Sequence, residues 1–497
     1  MTGTGAGAGA GKGSEDESAP GEVAVLDIGK TYLKLCAADR SGRVIETATT
    51  ANALRPGPPW RHHDLAALTP WVGATLADLA GRHPLKVVVP VGHGSGGVLT
   101  GPDPDAGGPG LERTGAALPM IDYEDDFPPA LDAAYRAQAG SFADRGSPVM
   151  MASTHAARQL LRMQAEAPEA VAGAAHYLNV AQYWAWWLSG VAASEHSAMG
   201  AQSHLWNVPE RHFAPIVARH GWSRLIAPFR PAWEALGPVR PALAARFGLP
   251  PGLTVLTGAH DSSANFYRYR AAGLSDFTLV STGTWIVALS AEAPVAGLSE
   301  ARGMTINADL QGAPVGGALA MGGREFAAVA GPGWRGARAD PGALARIVER
   351  GTMALPSFGA NEGQFPGSAG RGRIAGPPPG GRDERTALAV LYGALLTVAC
   401  AEALGGGRRL VLDGTFLQEP LYAPLVAALR PGAQTLVSHD PSGVAAGAAL
   451  LAGHTARTAP APLPLDTPPP LPPPLLTQPG LDRYAADWRA AAEGQTR

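Results

Sequence analysis

The sequence predicts an α/β protein of two domains that meet at a seam, and three observations carry that reading. The chain has 497 residues, more than one hydrophobic core usually serves, so two cores are expected. A strand, a short polar turn and a second strand occur near the start and again near residue 277. Between the two, Gly258-Ala259-His260-Asp261 follows another strand-like run, at a seam expected near 259–275.

Residues 1–20 are mostly Gly, Ala, Ser and acidic residues. They have no apolar face to bury and are expected to be disordered. The first domain is expected over 21–270. It opens on Val23-Ala24-Val25-Leu26-Asp27, an apolar run suited to a strand covered on both faces. Ile28–Thr31 makes a turn, Tyr32–Ala37 resumes as strand, and Val44–Thr50 completes a meander of three. Lys86–Val91 reads as another strand ending in a glycine loop, and helical periods fall at 63–80, 153–165 and 176–189.

The second domain is expected over 271–455, starting with strands at Phe277–Val280 and Trp285–Leu289. The uncharged stretch Thr386–Ala401 stops at Glu402. It is short for a membrane span of about 20 residues and reads as a buried helix. Leu410–Leu412 is a strand, Asp413–Phe416 a loop, Leu421–Leu429 a helix, and Ser442–Leu451 a small-residue helix suited to close packing. Residues 456–497 read as a stiff, Pro-rich, extended tail with a short helix at Leu481–Glu493.

Composition narrows the function classes. A formal net charge of −3 offers no basic field for nucleic acid or an anionic membrane. Only two cysteines, Cys36 and Cys400, stand far apart, which argues against a disulfide framework and fits a reducing cytoplasm. The N-terminus lacks the basic-then-apolar order of a secretion signal.

Several motif fragments fail their context. Gly29-Lys30-Thr31 imitates the end of a P-loop, but Ala24 occupies the first glycine position and no helix follows. Gly92-His93-Gly94-Ser95-Gly96-Gly97 follows a strand without opening a helix, so a dinucleotide fingerprint is rejected. It reads as a loop, or as a glycine-lined approach to a small ligand. Histidines 196, 204, 212 and 220 recur at eights, the wrong spacing for metal ligands on one helix. Asp122, Glu124, Asp125 and Asp126 suggest a cation site, but Pro128-Pro129 beside them favours a solvated turn.

Three features carry chemistry. Asp27-Ile28-Gly29-Lys30-Thr31-Tyr32-Leu33-Lys34 places a tight polar turn after a buried strand, a geometry that points N–H groups and hydroxyls at phosphate oxygens. Asp27 would hold a hydrated magnesium ion there; an ordinary hairpin ending in a capping aspartate fits equally. Ser281-Thr282-Gly283-Thr284 repeats the device in the other half. Gly258-Ala259-His260-Asp261-Ser262 puts a His-Asp pair at the seam, where Asp261 is either a reacting base or a helix N-cap.

The order Asp-x-Gly-x-Thr, Gly-x-His-Asp, Ser-x-Gly-Thr-Trp and a late glycine loop resembles the FGGY carbohydrate kinases over roughly residues 22–455. The segments around His260 and Thr284 lean toward the rhamnulokinase and fuculokinase side. The resemblance implies two actin-like, ribonuclease-H-like ATPase domains closing over ATP and a small sugar, in the cytoplasm, with a homodimer allowed and no nucleic-acid or membrane partner. It implies Asp27 at Mg2+ and Lys30, Thr31, Tyr32, Leu33 and Lys34 along the phosphates. Thr284 would meet the same phosphates, and Gly414 would lie in the adenosine loop. On the sugar side it implies Gly92, His260, Asp261 and Ser262, with Asp261 as catalytic base.

Two departures stand out: Lys30 replaces a residue that is small in many members, and Gln418 replaces the asparagine of the adenosine loop. Further sugar contacts are expected from His155, Gln182 and Trp184, because indole faces stack on C–H surfaces and Gln or His fixes hydroxyls. The aromatic stripe around Trp184 fits a core helix as well. A polyol kinase of the glycerol type, or an actin-like regulator without turnover, are the competing functions.

Overall fold

The computed structural model describes residues 21–473, 475 and 479–495; the expectation for 1–20 lies outside them. β1 (Val23–Ile28), β2 (Tyr32–Ala38) and β3 (Val44–Ala51) form the antiparallel meander, and α1 (Leu65–Arg82) follows. The Asp64 carboxylate caps that helix by accepting the Ala67 N–H. β4 (Val87–Gly92) lies parallel to β1 and sets Asp27 beside Val91.

Two helices then differ from the expected bounds. α2 (Ala156–Glu166) starts after His155, whose φ of 83° is outside the helical region. The period at 176–189 divides: His176–Asn179 is a strand paired with Gly97–Thr100, and α3 (Val180–Ser189) begins only afterwards. Pairing with a distant strand overrides local periodicity there. β5 (Ala235–Pro238) and β6 (Thr254–Leu256) complete the sheet in the order β5-β6-β4-β1-β2-β3. The short strand Ala259–His260 adds to β4, and α4 (Asp261–Ala271) leads out of the domain.

The second sheet contains β7 (Phe277–Thr282), β8 (Ile286–Ser290), β9 (Met304–Ala308) and β10 (Pro314–Ala320). After α5 (Gly322–Ala330) and α6 (Arg382–Ala403) come β11 (Arg409–Gly414), β12 (Gln434–Val437) and α7 (Gly443–Ala449). Its order is β9-β10-β8-β7-β11-β12. In both halves the first strand has an antiparallel neighbour on one side and, on the other, a parallel neighbour followed by a second parallel strand. Two such ribonuclease-H-like sheets around a cleft are the actin-like architecture. α6, the one helix among the described residues apolar and long enough to cross a membrane, is buried in the second core.

β1 is buried on both faces because its alternate side chains feed different cores. Ala24, Leu26 and Ile28 pack with Val72 and Leu76 of α1. Val23 and Val25 pack with Ala445, Ala448 and Ala449 of α7. Helix α7 therefore crosses back to cover the first sheet, and small residues allow it to approach α4. A Cβ on Gly447 would lie 2.0 Å from the Ala264 carbonyl oxygen, so only glycine fits.

The stretch after 455 is a strap fastened to the second domain. Val437 and Asp466 exchange N–H···O bonds of 2.8 and 3.0 Å, and Ala461 N–H donates to Ala271. α8 (Pro479–Gly494) then docks, with Tyr484 Oη donating to Thr352 and Trp488 Nε1 to Ala354. Proline stretches lack N–H groups but lie down well as extended chain, and α8 has apolar residues that need a partner. Trp488 is 1% exposed, so Trp488→Ala is expected to lower stability by about 3–5 kcal/mol. The midpoint of chemical denaturation measures it.

Candidate active site

Between the two sheets lies a cleft of ≈ 480 Å³. The first domain lines it with Lys30, Thr31, His93, Tyr123, Glu124, Met150 and Gln202, and the second with Thr284, Trp285, Asn307 and Arg324. The seam supplies His260, Asp261 and Ser262.

Asp261 is the first residue of α4, and the cap position belongs to His260, which makes no side-chain cap bond. The Asp261 carboxylate accepts only from its neighbours, the Ser262 N–H at 2.5 Å and the Ser262 hydroxyl at 3.2 Å, with His260 Nε2 3.2 Å away. It therefore faces the cleft instead of closing the helix end. Burial pushes the His260 imidazole below its ordinary value, opposed by Asp261. The pair is further braced from behind: His260 N–H donates to Ser197 Oγ at 3.1 Å, and Ser197 Oγ donates to buried Glu195 at 2.6 Å.

Asp27 is the penultimate residue of β1, in register with Lys34 on β2. Burial, and then the Asp261 carboxylate, push its carboxyl up to about 7, while Lys34 opposes the shift from 3.9 Å. Asp27 thus senses the Asp261 charge. Nothing among the described residues groups three or more His, Cys, Asp or Glu side chains into a metal cage. Hard carboxylate oxygen, one or two ligands from protein and the rest from phosphate and water, is the donor set that suits magnesium. Asp27 fits that ion, and Asp413 does not. The Asp413 carboxylate is buried and already accepts from Asn265 at 2.8 Å and Tyr269 at 3.1 Å.

The two turns after β1 and β7 are built alike. Gly29 N–H donates to Tyr32 O at 3.0 Å, and Gly283 N–H to Trp285 O at 2.8 Å. Gly414, at φ 93°, passes so close under the second turn that a Cβ would meet the Thr282 carbonyl oxygen at 2.1 Å. Arg324, near the start of α5, has no side-chain partner among the described residues. It is a free cation on the cleft beside Thr284.

Residues 139–266 match the N-terminal domain of the FGGY family of carbohydrate kinases, and residues 274–460 match the carbohydrate kinase FGGY C-terminal domain. A carbohydrate kinase from Novosphingobium aromaticivorans is 31% identical, with a TM-score of 0.83 over 96% of this chain and 99% of that one. The chain belongs to the FGGY family of carbohydrate kinases. As such it is a phosphotransferase acting on an alcohol acceptor, of a family that uses ATP with a divalent metal. Two solved structures share the fold at lower identity. A xylulose kinase from Rhodospirillum rubrum is 20% identical, with a TM-score of 0.76 over 95% and 98% of the two chains. A gluconate kinase from Lactobacillus acidophilus is 14% identical, with a TM-score of 0.74 over 95% and 96%. No curated protein matches the chain.

Within this kinase, the cleft brings together Lys30, Thr31, Thr284, His260, Asp261 and Ser262, with Asp27 and Lys34 linked to them through charge. Tyr32 is exposed, but Leu33 is fully buried in the first core, because alternation along β2 sends it to the opposite face. Gly92 is a packing glycine: a Cβ there would meet Val180 Cγ1 at 2.8 Å. Trp184 is core, on a helix buried all round. Gln182 is also buried, and its amide donates to Thr257 O and Gly258 O at 3.2 Å, holding the loop ahead of His260. His155 is fully buried, accepting the Met150 N–H and bonding Gln202 O while stacking on His204 at 3.5 Å. It supports two cleft-lining residues from behind.

His93, adjacent to Gly92, lines the cleft where the glycine does not. Its Nδ1 accepts the Ser95 N–H at 3.3 Å, and burial pushes it down to about 4. The neutral ring therefore carries its proton on Nε2, which is buried without a hydrogen-bond partner among the described residues. The acidic run beside it is not a solvated turn. Asp122 is fully buried between Lys30 and Arg61, and Asp125 pairs with Arg162 at 2.7 Å.

Proposed function

We propose that the chain transfers the γ-phosphate of ATP to a hydroxyl of a small ketose of the L-rhamnulose or L-fuculose class, with Asp261 as general base. One observation carries this reading. The Asp261 carboxylate stands free of capping duty at the seam, between the walls of the first domain and the phosphate-type turn of the second.

In this scheme an acceptor hydroxyl donates to Asp261, and its oxygen attacks the γ-phosphorus as the proton moves to the carboxylate. The bond to the ADP oxygen breaks in line. Such transfers need alignment and charge stabilisation more than covalent help. Thr284, Lys34 and Arg324 meet the phosphates, and His93 Nε2 and neutral His260 bind acceptor hydroxyls. A Mg2+ ion held by Asp27 would neutralise phosphate charge when bound. Met150, Met151 and Trp285 supply an apolar wall that suits the methyl end of a deoxy-ketose better than a bare polyol.

ADP release measured over L-rhamnulose, L-fuculose, D-xylulose, glycerol and gluconate is the test. The highest kcat/KM is expected with a deoxy-ketose. A preference for glycerol or gluconate over every ketose sinks the assignment.

A further inference from the structure

Lys30 lines the cleft, yet its surroundings do not suit a phosphate ligand. Its ammonium pairs with Asp122, lies 3.6 Å from Glu124 and sits 4.6 Å above the Tyr123 ring. Asp122 is fully buried and also accepts from Arg61 Nε at 2.6 Å. Two cations thus face two carboxylates, so the cluster offers an incoming phosphate no net positive charge. Drawing Lys30 away would leave a buried carboxylate half-compensated, a costly state. Lys34 and Arg324 face no such demand: Lys34 is half-exposed and 3.9 Å from its carboxylate, and Arg324 has no partner among the described residues.

We propose that Lys30 is a positioning residue for the acceptor pocket, fastening the 122–124 segment so that Tyr123 and Glu124 form its wall. Arg61 holds the other oxygen of Asp122, and Asp125 N–H donates to Asp122 O at 2.8 Å, but among the described residues only Lys30 reaches both Asp122 and Glu124. The segment's other backbone ties run the other way, through Asp122 N–H to Arg61 O and an isolated bridge between Ile121 and His62. Glu124 N–H closes the turn on Asp122 itself, at 3.2 Å. Tyr123 stands edge-on to His93 with ring centroids 5.3 Å apart, so a shift of the segment moves both the ring and the carboxylate that bound the pocket. A carboxylate and an aromatic edge held this way select for an uncharged polyhydroxy acceptor and disfavour sugar acids. This rests on the reading of the cleft as the sugar site.

The test is Lys30→Met, with Lys30→Arg as the conservative control, read in two ways: acceptor KM from ADP release, and affinity for the ATP analogue AMP-PNP by calorimetry. Lys30→Met is expected to raise acceptor KM about tenfold or more, the loss of roughly 1.4 kcal/mol of ground-state binding. AMP-PNP affinity is expected to stay within about twofold, and Lys30→Arg to restore the acceptor KM. A purely structural role would not split the two readouts. AMP-PNP binding weakened about tenfold with an unchanged acceptor KM overturns the proposal. If Lys30→Met does not fold, Lys30→Gln, which keeps an N–H donor for Asp122, carries the same two readouts. Failure of the sugar-site reading shows earlier and separately, as a wild type inert toward every acceptor.

Discussion

Replacing Asp261 with asparagine is expected to cut sugar-dependent ADP release by about 10²–10⁴-fold, the usual worth of a positioned general base. Asparagine keeps the shape and the oxygen that accepts the Ser262 N–H, so the loss reports proton acceptance and not collapse of α4. AMP-PNP should still bind, because the phosphate turns on β1–β2 and β7–β8 are untouched. A second consequence separates this from simple damage. The Asp261 charge is one cause of the raised Asp27 carboxyl, so its removal lets Asp27 ionise more readily. Divalent-ion affinity below neutrality should therefore improve in a variant that hardly turns over. Turnover within a few-fold of wild type would remove Asp261 from the reaction.

Asp27→Asn is expected to lower kcat/KM by about 10²-fold or more, corresponding to the several kcal/mol that metal charge stabilisation supplies. Its pH behaviour is the sharper signature. Asp27 titrates at about 7, and a carboxylate must lose its proton to ligate. Wild-type affinity for magnesium should hold steady above about pH 7 and fall as the pH drops below it. The slope there approaches about tenfold per pH unit, since one proton competes with one ion. Asp27→Asn should bind weakly and show no such slope. Calorimetry with the nucleotide-free protein at pH 6 to 8 measures both, and a wild-type affinity independent of pH would remove Asp27 from the metal site.

The sequence announced the features that depend on neighbouring residues. The apolar run at Val23–Leu26, the turn at Gly29 and the repeat at Ser281–Thr284 all follow from local period and turn chemistry, and they locate both sheets and the cleft between them. The place of Asp261 at the seam was legible because it follows a strand-like run, although only the structure removes its capping role. What stayed hidden was decided by distant partners. Asp122 looks solvated beside its prolines, yet Lys30 and Arg61 arrive from 92 and 61 residues away to bury it. Arg324 and Asn307 carry no local signal, since they reach the cleft only when the second domain folds. The stripe at Gln182–Trp187 was ambiguous for another reason: α3 is buried on every side, and such a helix has no polar face to show which residues meet a ligand.

The placement of α7 on the first sheet bears on how the chain can be made and divided. While the protein emerges from the ribosome, the face of β1 that bears Val23 and Val25 is not fully covered until residue 449 has followed, for its cover includes Ala445, Ala448 and Ala449. The first half can form its strands early, but it cannot dry that face alone. A fragment ending near 270 should expose it and associate or bind a chaperone, whereas adding the 443–453 segment in trans should restore solubility. The seam that looks like a boundary is thus a stitch, and the first half is not a self-sufficient folding unit.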